Sequence, residues 1–483
     1  MNSYSIRPFI LALLCLWGSL VMASETADPF STRSLLPHKP ALRTAITVGD
    51  PCAKDMPQGA LDLLEVVDLA LCNNPKTHEV WASTRAQAAQ VGVSKAGYLP
   101  GINLNASDSR SRTGAAPSVS QRNVGVTFSY LLYDFGARSA NLENSRQLLA
   151  SAIATQDYTV QLIFLASIQA FYQTQATHAA LDAALESERA ARESFAAAEA
   201  RYDAGSATPA DKLQAQTAYS QATLNRITAD GNLKNAQGTL ANMIGLDANR
   251  NVSLVPANTT VMPSDFEGDV AALIAEARRL RPDLQAATAQ VRAAEASADA
   301  ARATDRPTIS LSASADRYNI SGINTNGSTV GINLNVPIFS GFSPTYRARA
   351  AEAQTDVRNA QLEKLRLQVA LDVWTAYQHL TTATQSLSTG GDLQSSAEQS
   401  ERVALGRYKA GVGSILDVLN AQSALASARQ QRIQSNFDWN ISRATLAHAI
   451  GNLDADLLQT LSSDQYNQTR IDETQIDETK NQP

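Results

Sequence analysis

One stretch of the sequence dictates the architecture: Arg407-Tyr408-Lys409-Ala410-Gly411-Val412-Gly413-Ser414-Ile415-Leu416-Asp417-Val418-Leu419-Asn420-Ala421-Gln422. An earlier stretch repeats its pattern, Arg201-Tyr202-Asp203-Ala204-Gly205-Ser206-Ala207-Thr208-Pro209-Ala210-Asp211-Lys212-Leu213-Gln214-Ala215-Gln216. Arg-Tyr, Ala-Gly, Asp, Leu and Ala-Gln recur at the same offsets. Each copy lies between two long Ala- and Gln-rich helical patterns. The chain is therefore predicted to contain two copies of one helical hairpin.

The two turns carry the same helix stop and start signals. A glycine ends the first helix, because glycine accepts the left-handed conformation at a C-terminal cap. A hydroxyl residue then caps the next helix, with an aspartate three residues later, as in a capping box. These residues are Gly205, Thr208 and Asp211 in the first turn, and Gly411, Ser414 and Asp417 in the second.

The composition is typical of long helices with narrow packing seams rather than of a compact globule. Aromatic residues make up 6% and charged residues 18% of the 483-residue chain. The formal net charge is −6, and no basic stripe is visible, so nucleic acid is not an expected partner. Residues 1–23 read as a secretory signal, since Arg7 precedes an apolar run and Val21-Met22-Ala23 suits cleavage. An uncleaved anchor helix is the alternative, but the apolar run is short for spanning.

The mature chain keeps two cysteines, Cys52 and Cys72. In an oxidising compartment they predict a disulfide that ties the N-terminal segment to the first helix, and two buried free thiols are the alternative. Histidine is too scarce, and too far from these cysteines, for a zinc site. His78, His178, His379 and His448 are scattered on helical patterns and are expected at the surface. No metal, cofactor or catalytic triad is expected.

Two segments change from helical to alternating periodicity, each after a proline. Ile102, Leu104 and Ala106 alternate with polar residues after Pro100, and the same pattern follows Pro307. Period-two alternation predicts strands with one apolar and one polar face. The predicted hairpins span about 102–132 and about 308–338, and about ten residues per strand suffice to cross a bilayer.

The hypothesis that the protein crosses a membrane rests on these strands. No run of 18 apolar residues follows the signal segment, so the sequence predicts no transmembrane helix. The alternative is a hairpin in a soluble antiparallel sheet. Four strands are too few to close a membrane barrel, so a membrane reading requires several chains to share one barrel. The strand pairs lead into long helices, from about 138 to 204 and from about 344 to 410. Such a helix is about 100 Å long. Gly390-Gly391 is expected to interrupt the second one.

The predicted organisation of the chain has six parts. They are a signal peptide (1–23), an extended segment (24–59), a first repeat (60–251) with its tip at about 202–210, a linker (252–268), a second repeat (269–453) with its tip at about 408–416, and a polar C-terminal tail (454–483).

Over about residues 60–453 the pattern resembles the TolC family of outer-membrane efflux proteins. The matching features are the two Arg-Tyr-x-Ala-Gly turns, the proline-bounded strand pairs and the paired Ile/Leu-Gly helix ends. The resemblance implies a mixed α and β membrane protein. In it, a homotrimer builds a twelve-stranded β-barrel in the outer membrane, continued by an α-helical coiled-coil barrel in the periplasm. It also implies a periplasmic adaptor and an inner-membrane transporter of the ABC or RND type as partners, and outer-membrane lipid around the barrel.

The resemblance also implies site residues at the tip. Asp417 matches the first acidic position of the family's pore constriction, whereas the second position is Asn420 here. Three Asp417 side chains would attract cations at the entrance. The alternative is that Asp417 only completes the cap with Ser414. Gly205, Gly411, Val412 and Gly413 match the region that adaptors contact.

The implied function is a passive exit duct for multidrug efflux or type I protein secretion. The alternative function is a soluble periplasmic coiled-coil scaffold or adaptor, which would explain the helices and tips but not the alternation of the strands. An envelope enzyme has only the chain length in its favour.

Overall fold

The computed structural model describes residues 28–36, 59–114, 117–250, 252–256 and 269–453. The predicted signal peptide, Cys52 and the polar C-terminal tail lie outside these residues. The described residues include eight α-helices and four β-strands. They are α1 (Leu63–Asn73), α2 (Pro75–Ala96), β1 (Gly101–Ser111), β2 (Val119–Tyr133), α3 (Ala137–Asp203), α4 (Pro209–Met243), α5 (Val270–Leu280), α6 (Pro282–Ala303), β3 (Thr308–Ile320), β4 (Ile323–Asn335), α7 (Ser343–Lys409) and α8 (Ile415–Ile450). The predicted mixed α and β fold, with four strands per chain, is confirmed.

The chain divides into two compact units, which we call the strand unit and the helical unit. The strand unit takes its described residues from 28–36, 82–153 and 286–360, and the helical unit from 59–81, 154–285 and 361–453.

The strand unit contains one antiparallel sheet in the order β1-β2-β3-β4. Its register aligns apolar residues across all four strands: Ile102 lies opposite Phe128, Phe128 opposite Ala313, and Ala313 opposite Val330. The neighbouring row, on the other face, is polar and contains Asn103, Thr127, Ser314 and Thr329. The apolar face is open to solvent in the single chain, since Ile102 is 70% and Val330 76% exposed.

The helical unit contains the largest apolar core of the described residues. Val66 and Val67 of α1 pack there with Phe164 and Phe171 of α3, and all four are 0% exposed. Leu240 of α4 and Phe437 of α8 complete this core. One helix, α3, is long and apolar enough by composition to cross a membrane. Of its most apolar 18-residue window, 44% is buried within the chain, and Phe164 and Phe171 belong to the core.

The predicted interruption at Gly390-Gly391 is wrong, because α7 runs without a break from Ser343 to Lys409. Instead, α8 packs against α7 at these two glycines. A Cβ atom on Gly391 would lie 2.5 Å from Nη1 of Arg432, and Gly390 faces Ser435. The missing side chains therefore let Arg432 lie against the helix backbone, while the regular hydrogen bonds of α7 persist.

Candidate functional site

The two helical turns of the helical unit have the same backbone geometry. In the first, the N–H of Ser206 donates to the carbonyl of Arg201 (2.8 Å) and that of Gly205 to the carbonyl of Tyr202 (2.9 Å). In the second, Val412 donates to Arg407 (3.0 Å) and Gly411 to Tyr408 (3.1 Å). Both bonds together form the Schellman motif, which requires the left-handed conformation that Gly205 (φ 72°) and Gly411 (φ 79°) adopt.

A capping box starts the helix after each turn. The hydroxyl of Thr208 accepts the N–H of Asp211 (3.3 Å), and the carboxylate of Asp211 accepts the N–H of Thr208 (2.9 Å). Ser414 and Asp417 exchange the same two bonds, at 3.2 and 3.3 Å. Hydrogen bonds from the backbone and hydroxyl of Thr208 hold the pKa of the Asp211 carboxyl below its usual value.

Arg201 joins the two turns. Its guanidinium lies over the ring of Tyr408, 4.1 Å from the centroid, and its Nη2 donates to the Tyr408 carbonyl at 2.7 Å. Tyr408 is 7% exposed and packs with Ala198 of α3, Ala215 of α4 and Val418 of α8. We call this set, with Ile415, the tip cluster.

Polar contacts beside the tip cluster, and farther along the helices from the turns, hold α3 to α4 and α8. Lys212 of α4 binds Glu199 of α3 (2.9 Å), and Arg429 of α8 binds Glu186 of α3 (2.8 Å). Between these levels, Gln422 of α8 donates to Ser194 of α3 (3.1 Å). The tip is therefore one packed four-helix end, rather than two independent hairpins.

Asp417 and Asn420 lie on the exposed side of α8, one helical turn apart, while Ile415 and Val418 are buried. The turn residues Gly205, Gly411 and Val412 are exposed as well, Val412 by 69%. Gly413 is half-buried, since an added Cβ would lie 3.1 Å from Cβ of Arg407 and from the backbone N of Tyr408.

Sequence reasoning missed the role of Arg201. The Arg-Tyr pair recurs in both copies, but only the first arginine reaches the opposite turn. Arg407 is exposed, and Tyr202 is 40% exposed with the amine of Lys212 5.4 Å from its ring. The difference depends on which helices face each other, and the repeat alone does not specify that.

Outside the tip, the cysteine and histidine expectations have different outcomes. Cys72 is buried at the end of α1 and is disulfide-bonded, while its predicted partner Cys52 lies outside the described residues, so this pairing stays a prediction.

Three of the four histidines, His78, His178 and His379, are exposed, as expected. The expectation for His448 is wrong. It is half-buried, its ring lies 6.1 Å from that of Tyr158, and its Nε2 is buried. Burial, and then the charge of Arg281, lower its pKa.

Within the described ranges, no group of three or more His, Cys, Asp or Glu side chains is placed to hold a metal ion. The tip instead offers backbone, carboxylate and amide groups at the end of a helical bundle.

The model of the family described as "Outer membrane efflux protein" matches residues 66–246 and 273–452, which include both hairpins and both strand pairs. The chain belongs to the outer membrane efflux protein family. The resemblance to the TolC family is thus confirmed, and so are the location in the outer membrane and the function as an exit duct. This is a family of channel proteins rather than of enzymes.

Individual proteins agree with this assignment. The chain is 32% identical to Protein CyaE of Bordetella pertussis, over 87% of the chain and 90% of that protein. It is 24% identical to the outer membrane protein TolC of Vibrio cholerae, over 82% of the chain and 91% of TolC. The fold matches the crystal structure of the Campylobacter jejuni CmeC outer membrane channel with a TM-score of 0.73. That match covers 84% of this chain and 89% of CmeC at 18% identity.

Proposed function

We propose that three copies of this chain assemble into one duct, whose twelve-stranded barrel crosses the outer membrane. The observation that carries this proposal is the open sheet of the strand unit. Strands β1 and β4 each pair on one side only within the chain, and one face of the sheet is apolar and exposed. Exposed edges and an exposed apolar face are unstable in water. Pairing β1 of one chain with β4 of the next removes the edges, and lipid covers the apolar face.

The helices continue the barrel as an α-helical tunnel built from an internal twofold repeat. Equal element lengths support the repeat: α3 and α7 have 67 residues each, α2 and α6 have 22, and α1 and α5 have 11. Residues 60–251 and 269–453 are the two repeats in this proposal, joined by the linker 252–268.

The tip is the inner entrance of the duct. Asp417 and Asn420 line its narrowest ring, and the exposed turn residues Gly205, Gly411, Val412 and Gly413 contact a periplasmic adaptor. An inner-membrane transporter of the ABC or RND type delivers the cargo, for multidrug efflux or type I protein secretion. The duct itself is passive.

Two measurements test this proposal on the purified, detergent-extracted protein. Light scattering should give the mass of three chains, and planar bilayers should show small, cation-preferring channels. A monomer without channels would refute the shared barrel.

Two variants then test the pore ring. Asp417→Ala removes both the charge and the cap, whereas Asp417→Asn keeps a carbonyl oxygen that can accept the N–H of Ser414. Both should lower the preference for cations. Unchanged selectivity in both would refute the assignment of Asp417 to the constriction, even if the duct itself is confirmed.

A further inference from the structure

The apolar face of the sheet ends in a group of arginines at the hairpin end of the strands. On this face Arg317 lies in the row of Ala106 and Val124, and the two rows beyond it carry Arg122 and Arg110, with Asp108 as the acidic member. We call these three arginines the arginine border. The helices join the sheet at its opposite end, because α2 precedes β1 and α3 follows β2. The border therefore lies at the end of the sheet opposite its junctions with α2 and α3.

The register shows that the arginine border shares the face of the apolar residues. Arg317 lies opposite Val124, which in turn lies opposite Ala106. The next row on this face pairs Arg122 with Asp108 and with Asn319, and Arg110 follows opposite Ser120. Successive rows on one face are about 7 Å apart along a strand. Three guanidinium groups thus lie at the edge of the apolar band.

The charges of the arginine border are only partly compensated. Nε of Arg122 lies 3.0 Å from Oδ2 of Asp108, and both side chains stay more than 60% exposed (69% and 63%). Nε of Arg110 donates to Ser118, a neutral partner, at 3.1 Å. Arg317 is exposed and makes no ion pair with any residue in the described ranges. With one aspartate against three arginines, this face has a net charge of +2 per chain.

We propose that the arginine border binds the phosphate groups of lipids in the outer leaflet of the membrane. This inference rests on the proposed barrel, in which the apolar face meets lipid and the helices lie in the periplasm. A charge is costly at the bilayer midplane but tolerated at its edge. Phosphate is the ligand that fits, since guanidinium binds it with paired charge-assisted hydrogen bonds. The apolar rows next to the border would hold the acyl chains of the same lipid.

A lipid-binding assay on the full-length protein in detergent tests the inference. The probe is a bisphosphorylated lipid A, compared with the same lipid after enzymatic dephosphorylation, and binding is measured by native mass spectrometry. The wild type should prefer the phosphorylated lipid. The variant Arg110→Gln/Arg122→Gln/Arg317→Gln should lose that preference, because each basic residue near an anionic surface contributes about fivefold in affinity.

Two further variants test whether the effect depends on where the charge is changed. Arg250→Gln/Arg278→Gln/Arg366→Gln makes the same charge change at exposed positions of the helical unit and should bind like the wild type. Asp108→Asn frees Arg122 from its carboxylate partner and should strengthen binding of the phosphorylated lipid.

The outcomes separate this inference from the function on which it rests. A trimeric, conducting protein that binds both lipids equally, or whose border variant binds like the wild type, would overturn only the phosphate assignment. The assignment would also be overturned if inorganic phosphate competed with the phosphorylated lipid as well as unlabelled lipid does. That result would indicate a site for free phosphate rather than for lipid. Loss of the trimer and of channels in the wild type would instead refute the duct.

Discussion

Replacing Arg281 with methionine should cause a large loss of stability in the helical unit. Arg281 caps the C-terminus of α5, and its side chain is 5% exposed. Its Nε and Nη2 donate to the two oxygens of Asp283, at 3.0 and 2.6 Å, and Nη1 donates to Asp372 at 3.0 Å. Burial disfavours the charge of Arg281, but hydrogen bonds and attraction from both aspartates hold its pKa above the usual value.

The size of the effect follows from the burial of the partners. Methionine can fill most of the volume of the arginine stem, so the loss is mainly electrostatic. Asp283, 12% exposed, would be left as a buried charge without a cationic partner, and would keep only the N–H of Leu284 at 2.9 Å. Removing one member of a buried pair typically costs about 3–5 kcal/mol. Asp372 is 33% exposed and can regain water, so we expect the lower part of that range, about 3 kcal/mol.

Urea unfolding followed by circular dichroism measures this loss, at a fixed protein concentration because subunit association contributes to stability. Arg279→Met, at an exposed position two residues earlier, is the matched control. The double variant Arg281→Met/Asp283→Asn should recover more than half of the loss, since it removes the uncompensated charge. A loss below about 1 kcal/mol for Arg281→Met, or no recovery in the double variant, would refute the reasoning.

Three smaller perturbations test other parts of the chain. The pKa of His448 is lower in the folded chain, so the unfolded chain takes up a proton first as pH falls through about 6.5. The free energy of unfolding should therefore fall in that range and level off below the folded-state pKa. His448→Gln should flatten this slope in urea unfolding between pH 7.5 and 5.5, and equal slopes would contradict the prediction. Gly125→Ala places a Cβ atom against the carboxylate of Asp316, which must move away, and should lower the free energy of unfolding by about 1 kcal/mol. Adding Asp316→Ala should restore it, and a Gly125→Ala protein that melts like the wild type would exclude the clash. Ser414→Ala removes the cap on Asp417 and should weaken the first turn of α8 by about 1 kcal/mol. Amide exchange at that turn measures this, and unchanged protection would count against the cap.

The features that the sequence predicts well are those set by neighbouring residues. The turn at Gly205 and Thr208 depends on a left-handed glycine and on a hydroxyl three residues before a carboxylate, and both signals can be read locally. The strands follow from alternation, because a one-residue slip in register would move Ile102, Phe128 or Val330 to the polar face.

The features that the sequence does not predict depend on residues far apart in the chain. His448 is expected at the surface because the histidines are scattered along helical patterns. Its surroundings come from other helices, since its ring lies 6.1 Å from that of Tyr158 in α3 and it feels the charge of Arg281 at the end of α5. Gly390-Gly391 looked like a helix interruption, but the contact with Arg432 makes it a packing site. Arg201 and Tyr408 are likewise brought together only when the two hairpins pack. In each case the local pattern fits more than one outcome, and the missing information is the identity of the facing helix.

The two interpretations of Asp417, helix cap and pore residue, are physically compatible. The cap uses one oxygen, because Oδ2 accepts the N–H of Ser414. No described residue donates to Oδ1, and the side chain is exposed, so the carboxylate keeps its charge available to solvent. Asp211 makes the same cap in the first turn, but there the next residue is basic: Lys212, whose amine pairs with Glu199 at 2.9 Å. Leu416 and Val418 flank Asp417 instead, so its negative charge has no basic neighbour in sequence. In the proposed duct, the second hairpin is therefore the one whose cap would also act electrostatically on passing ions.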